Sequence, residues 1–267
     1  MSFNDIKYEV DGHKATITLN RPDALNALSP HMITELRAAY DEAENNDKVW
    51  LLIVTGTGRA FCAGADVKEI PDDGKVVDER AYLSTYEQWE APQEGTPPFR
   101  RMAKPVLAAI NGICCGAGLD WVTTGDIVIA SEKATFFDPH VSIGLVAARE
   151  VVRLARVLPR STALRMALLG KHERMTAQRA YELGMISEIV EHDRLLERAH
   201  ELADVVNSNA PLAVRGTRLA ILKGLDLPLH EAETLAEAFR ERNLHTEDSL
   251  EGPRAFLEKR APNWRCR

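Results

Sequence analysis

Cysteine is scarce in this chain of 267 residues, and the four present, Cys62, Cys114, Cys115 and Cys266, show no C-x-x-C spacing. A disulfide framework and a zinc site are therefore not expected, and free thiols are. No run of 18 apolar residues occurs, which excludes a hydrophobic span as an expectation. The opening MSFNDIKYEV lacks the charged-then-apolar pattern of a secretion signal, so a cytoplasmic protein without membrane contact is expected. Positive charge is also short: 33 Lys+Arg against 40 Asp+Glu leave a net −7. Without a basic stretch to track a phosphate backbone, nucleic acid is not an expected partner. What the chain does have is 45% apolar and 27% charged residues, the balance of a globular protein. At this length it can bury one large core, or one core with an appended helical lobe.

Ala15, Ile17 and Leu19 alternate with Thr16, Thr18 and Asn20, which predicts a half-buried strand ended by Arg21-Pro22-Asp23. Ser29-Pro30 then opens a helix carrying Met32, Ile33, Leu36, Ala39 and Tyr40 at helical spacing, stopped by Asn45-Asn46-Asp47. The apolar run 50–54 has the length and continuity of a strand covered on both faces. The pattern recurs as a strand at 106–110, a small-residue turn at 112–118, a short helix at 119–124 and a strand at 126–130, which argues an α/β core. Residues 70–100 are rich in Pro and Gly and read as a substrate-covering excursion. Beyond about 147 the signals are helical: 149–158, 161–169, 176–183, 193–207, 211–224, 229–242 and 250–260. No short-period repeat or low-complexity tract is visible.

Three segments could carry chemistry. Gly56-Thr57-Gly58 follows a strand, but the third glycine of a dinucleotide fingerprint would stand at Phe61, so that reading fails. Ala63-Gly64-Ala65-Asp66 is a small-residue bend whose amides a ligand can approach, or an ordinary tight turn. Residues 111–120 have the same character at the start of a helix, whose free N–H groups and partial charge of about +0.5 suit an oxygen gaining negative charge. Asp120, three residues after Ala117, either brings a carboxylate to that oxygen or only complements the helix dipole. In Asp138-Pro139-His140 the proline fixes how the histidine leaves the turn, and His140 is either a base or a hydrogen-bonded structural residue.

Read in order, these segments resemble the crotonase (enoyl-CoA hydratase/isomerase) superfamily from about Val10 to Trp264. The resemblance is carried by Leu19-Asn20-Arg21-Pro22, Leu25-Asn26-Ala27-Leu28 and the stretch from Gly58 to Lys68. It continues through Lys104-Pro105-Val106, Asn111-Gly112, Gly116-Ala117-Gly118, Ala134-Thr135-Phe136 with Pro139, Ala177, Ala180, Gly184-Met185 and the stretch from Phe256 to Arg260. It implies an α/β fold, a spiral of repeated ββα units over 1–200, and a C-terminal helical region over 201–267 that assembles homotrimers or homohexamers. It also implies a coenzyme A thioester as substrate, with no further cofactor and no metal. By that resemblance the backbone N–H groups of Ala65 and Ala117 hold the thioester oxygen. Ala63, Asp66 and Lys68 line the coenzyme A nucleotide, and Phe256 and Lys259 reach it from the last helix of the same or a neighbouring subunit.

The catalytic positions depart from the family pattern. Hydratases of the superfamily hold their water with two glutamates; the matching residues here are Asp120 and His140. Aspartate is one methylene shorter, and a displacement of roughly an ångström can cost ~10²-fold in a positioned proton transfer. Histidine replaces an acid of reference pKa about 4.3 with a base near 6.5. Three readings stay open: a hydratase-like lyase using Asp120 and His140, an isomerase or thioester hydrolase using one of them, and an acyl-CoA-binding protein without efficient chemistry.

Overall fold

The computed structural model describes residues 3–66 and 102–267. Two sheets arise from one step repeated along the chain. Strand β1 (Ile6–Asp11) pairs antiparallel with β2 (Lys14–Leu19), and β3 (Leu51–Gly56) lies parallel to β2. After β3 the chain turns at once into a short strand, β4 (Ala60–Cys62), in a second sheet. The step repeats with β5 (Val106–Ile110) and β6 (Ile113–Cys115), then with β7 (Ile127–Ser131) and β8 (Thr135–Phe137). Strands β9 (Met175–Thr176) and β10 (Glu188–Val190) close the two edges. The large sheet runs β1-β2-β3-β5-β7-β10 and the small one β4-β6-β8-β9. This is the spiral α/β architecture that the resemblance implies.

Alternation along β3 divides its side chains between two cores. Leu52 and Val54 enter the main core with Val106, Ala108 and Ile110 of β5. Leu51 and Ile53 face the other way, into a second cluster with Leu107, Ala109 and Ile129. An uninterrupted apolar sequence is the consequence of covering a parallel sheet on both faces. Strand β2 departs from expectation: Thr16 is only 7% exposed, because β2 is an interior strand flanked by β1 and β3.

Helix α1 (Pro30–Asn45) begins where Ser29 caps it, its hydroxyl accepting from the Met32 N–H at 3.0 Å. At the other end the buried Lys104 ammonium donates to the carbonyls of Ala43 at 2.7 Å and Asn46 at 2.8 Å. A cation on helix-end carbonyls complements the dipole and ties the approach to β5 to α1.

The remaining helices are α2 (Leu119–Thr124), α3 (Arg149–Val157), α4 (Arg160–Leu169), α5 (Ala177–Glu182), α6 (Leu195–Asn207), α7 (Pro211–Gly224), α8 (Leu229–Leu244) and α9 (Glu247–Leu257). The division expected at 200/201 falls inside α6, whose Leu195, Ala199 and Ala203 pack on the large sheet. The last helix starts earlier than residue 250 because Thr246 caps it, accepting from the Ser249 N–H at 3.1 Å. Strands β9 and β10 lie in the stretch whose signals are helical; at two and three residues they are too short for periodicity to show. The excursion expected at 70–100 lies outside the described residues. Among the described residues no helix is long and apolar enough to cross a membrane.

Candidate active site

Three neighbouring strands of the small sheet end side by side. Strands β4, β6 and β8 are parallel, with Cys62 opposite Cys114 and Cys115 opposite Phe137. The residues that follow them are Ala63-Gly64-Ala65, Gly116-Ala117 and Asp138-Pro139-His140. The carboxyl ends of parallel strands are where open α/β sheets leave room for ligands. Topology thus brings together the three segments singled out in the sequence.

The first corner is held in a bracket. Residues 25–28 run beside it: Ala63 N–H donates to Leu25 carbonyl at 3.1 Å, Leu28 N–H to Gly64 carbonyl at 2.8 Å, and Asp66 N–H to Leu28 carbonyl at 3.0 Å. The amides of residues 63 and 66 are consumed, while that of Ala65 donates to nothing among the described residues. Asn26 locks the bracket from within, fully buried at φ 55°, accepting from Arg21 N–H at 2.8 Å and donating to Thr57 and Ala60 carbonyls at 2.9 and 2.8 Å. Arg21 donates to Ala27 carbonyl at 2.7 Å and to the Asp66 carboxylate at 3.1 Å. The Leu-Asn-Ala-Leu motif is therefore scaffolding for the corner.

At the second corner Gly116 has φ +52° and Gly64 φ +90°, in the region glycine adopts readily. A Cβ on Gly64 would stand 3.5 Å from the nitrogen of Ala117, so the corners touch. Residues 116–118 form a short 3-10 turn leading into α2, and its first amides have no turn carbonyl to reach. Ala117 N–H, like that of Ala65, donates to nothing among the described residues.

At the third strand end Asp138 is fully buried and accepts twice from His140: from its backbone N–H at 3.0 Å and from its ring Nδ1 at 2.9 Å. A carboxylate partner favours the proton on Nδ1 and leaves Nε2 outside this hydrogen bond. The hydrogen bond to Asp138 raises the His140 pKa above 6.5; burial opposes the rise, while the charges of Asp138 and Glu150 reinforce it. The thiols beside the site are inert: burial pushes Cys62 and Cys115 up to about 12, and Cys114 well above its ordinary value.

Asp120 lies in the first turn of α2, 4% exposed, and its carboxylate is ion-paired with the buried Arg153 of α3. Its carboxylate is thus committed to an ion pair, a partner that neither reading of the sequence supplies. Asp66 is likewise paired, with Arg21. Ala63 is half-buried at the corner, Lys68 lies outside the described residues, and Phe256 and Lys259 sit exposed at the end of α9. Three residues were not anticipated. Asp138 stands two residues before His140, a spacing that could have marked a carboxylate–imidazole pair. Glu150 and Arg153 arrive from α3, and nothing in their local sequence marks them.

A family model described as enoyl-CoA hydratase/isomerase matches residues 11–267. The chain belongs to the enoyl-CoA hydratase/isomerase family. Within it the chain is 36% identical to the mevalonyl-coenzyme A hydratase sidH of Aspergillus fumigatus, over 95% of this chain and 92% of that one. It is 33% identical to the (E)-benzylidenesuccinyl-CoA hydratase of Thauera aromatica, over 97% and 98%. A crystal structure of an enoyl-CoA hydratase/isomerase from Mycobacterium paratuberculosis superposes with a TM-score of 0.91 at 85% identity, covering all of both chains. These enoyl-CoA hydratase/isomerase relatives extend the likeness from the three strand ends to the whole fold.

Proposed function

We propose that this family member adds water across the double bond of a 2-enoyl-CoA, or removes it from the corresponding 3-hydroxyacyl-CoA. One observation carries the reading: two touching corners each leave one backbone amide, Ala65 and Ala117, without an acceptor among the described residues, beside the imidazole of His140. Donors preorganised for a developing oxyanion are worth ~10²–10³-fold in rate each. As water oxygen bonds to Cβ, the π electrons move toward Cα and the thioester oxygen, where the two amides receive the charge. His140, whose imidazolium form the Asp138 hydrogen bond favours, delivers its Nε2 proton to Cα. Asp120, its charge compensated by Arg153, serves as a hydrogen-bond acceptor that positions the water.

Ala63 and Lys68 are proposed to line the nucleotide of coenzyme A, with Asp66 steadying the corner through Arg21. The coenzyme A thioester is the substrate, with no other cofactor required. The exposed apolar side chains of the last helices, Leu225, Leu229, Phe256 and Leu257, suit a trimer or hexamer in which Phe256 and Lys259 serve a neighbouring subunit's coenzyme. Buried free thiols at Cys62, Cys114 and Cys115 suit the reducing cytoplasm.

The test is spectroscopic: purified protein should consume the ultraviolet absorbance of a short 2-enoyl-CoA without releasing thiol. The Asp138–His140 pair also favours a second reading, in which the imidazole activates water against the thioester carbon. Thiol release would establish that hydrolase. A double bond that migrates without water uptake would establish an isomerase instead, and binding without turnover of any acyl-CoA would sink both enzymatic readings.

A further inference from the structure

The hydration leaves one proton unassigned, the one shed by the water as it bonds to Cβ. We propose that Glu150 of α3 is the base that takes it, so that the acid/base pair of this site is His140 with Glu150 and not with Asp120; this rests on the hydratase reading above.

Five carboxylates are buried among the described residues: Glu35, Asp120, Asp138, Glu150 and Asp248. Four have clear structural employment. Glu35 accepts from the backbone N–H groups of Asn4, Asp5 and Ile6, and Asp248 from those of Arg265 and Cys266. Asp138 holds His140, and Asp120 is paired with Arg153. Glu150, 7% exposed, has a carboxylate that makes no hydrogen bond or ion pair among the described residues. Its oxygens are not among the enclosed polar atoms that lack a partner, so the stem is buried while the carboxylate stays accessible, which suits a group that meets a small molecule.

Position supports the role. Glu150 is the second residue of α3, and Arg153 lies three further on, on the same inward face. From that face Arg153 reaches Asp120, while the charge of Glu150 acts on the imidazole of His140. His140 in turn abuts the second corner, its Cε1 lying 3.5 Å from where a Cβ on Gly116 would be. Among the described residues the charged groups around the pair include Asp138 on the histidine's own turn, Arg153 and Asp120 across α3 and α2, and Arg174 near Cys115 and over the Phe137 ring.

The proton balance closes. Glu150 carboxylate accepts a proton from water as the O–Cβ bond forms, and His140 imidazolium gives its Nε2 proton to Cα. The carboxylic acid then returns its proton to the neutral imidazole, restoring both groups. One water has added, and nothing is oxidised or reduced.

The experiment compares wild type with Glu150→Gln and Glu150→Asp in hydration of a short 2-enoyl-CoA across pH, with far-ultraviolet circular dichroism and thermal melts to establish folding. Glu150→Gln is expected to lower kcat by ~10²-fold or more with little change in KM, as for loss of a general base, and to abolish the acid limb of the kcat/KM profile. The Cε1–H NMR titration of His140 is expected to move to lower pH, and Glu150→Asp to recover part of kcat. A wild type that hydrates while Glu150→Gln keeps its rate and its acid limb overturns this assignment alone. A wild type with no hydration of any 2-enoyl-CoA overturns the hydratase reading, and this assignment with it.

Discussion

Gly64 and Gly116 meet backbone to backbone: a Cβ on Gly116 would lie 3.5 Å from the Cα of Gly64. A Cβ on Gly64 would press to 3.2 Å from the carbonyl oxygen of Cys115, at a φ of +90° that side chains resist. Gly64→Ala is therefore expected to cost ~1–3 kcal/mol of stability and to lower kcat by ~10²-fold as the Ala65 amide is displaced. Urea unfolding and the hydration assay read the two effects; unchanged turnover would show that the corner does not hold the reacting oxygen.

His140 supplies a pH dependence. Its raised pKa means that the folded state favours the imidazolium, through the Asp138 hydrogen bond first and the nearby charges second. The stability it contributes is fully present below about pH 6.5, the ordinary histidine value, and is lost as pH rises through the raised folded value. Asp138→Asn should lower the His140 pKa, flatten this loss, and shift the alkaline limb of hydration to lower pH. NMR titration of the ring and urea melts on both sides of neutrality test it; an unmoved titration would remove Asp138 from its positioning role.

The pairing of Arg153 with Asp120 is buried on both sides. Arg153→Met should take the guanidinium away from a buried carboxylate and destabilise the protein by ~3–5 kcal/mol, whereas the double variant Arg153→Met with Asp120→Leu should recover much of that loss. Denaturant midpoints of the four proteins in the cycle measure the coupling. Simple additivity would show that the contact contributes nothing.

Asn26 holds three hydrogen bonds at full burial. Asn26→Ala removes these bonds from the Arg21 N–H and the Thr57 carbonyl, while the Ala60 carbonyl still accepts from Asn111 Nδ2 at 3.2 Å, and should cost ~1–3 kcal/mol for each buried group stranded. Hydrogen exchange should quicken at Ala63 and Asp66, whose amides bond into the bracket. Protection equal to wild type at both amides would count against the bracket as the support of the corner.

Legibility followed the range of the interactions. Strand β5 is Val-Leu-Ala-Ala-Ile throughout, and α7 begins with Pro and ends with Gly, so both emerge from the sequence with the bounds they have in the fold. The two corners and His140 were visible as small-residue bends and a proline-set turn. The partners were not: Arg153 lies 33 residues from Asp120, and Asp66 45 from Arg21. Such meetings depend on how helices dock onto strands, which no local period encodes. Glu150 reads as an ordinary first-turn acid until α3 is placed against α2.

Because β4, β6 and β8 end side by side, the amides of Ala65 and Ala117 and the imidazole of His140 hang from different pegs of one rack. A side chain on the third peg can be exchanged while the backbone amides of the first two stay where they are. A fold built this way lets the third side chain vary without disturbing the two corners.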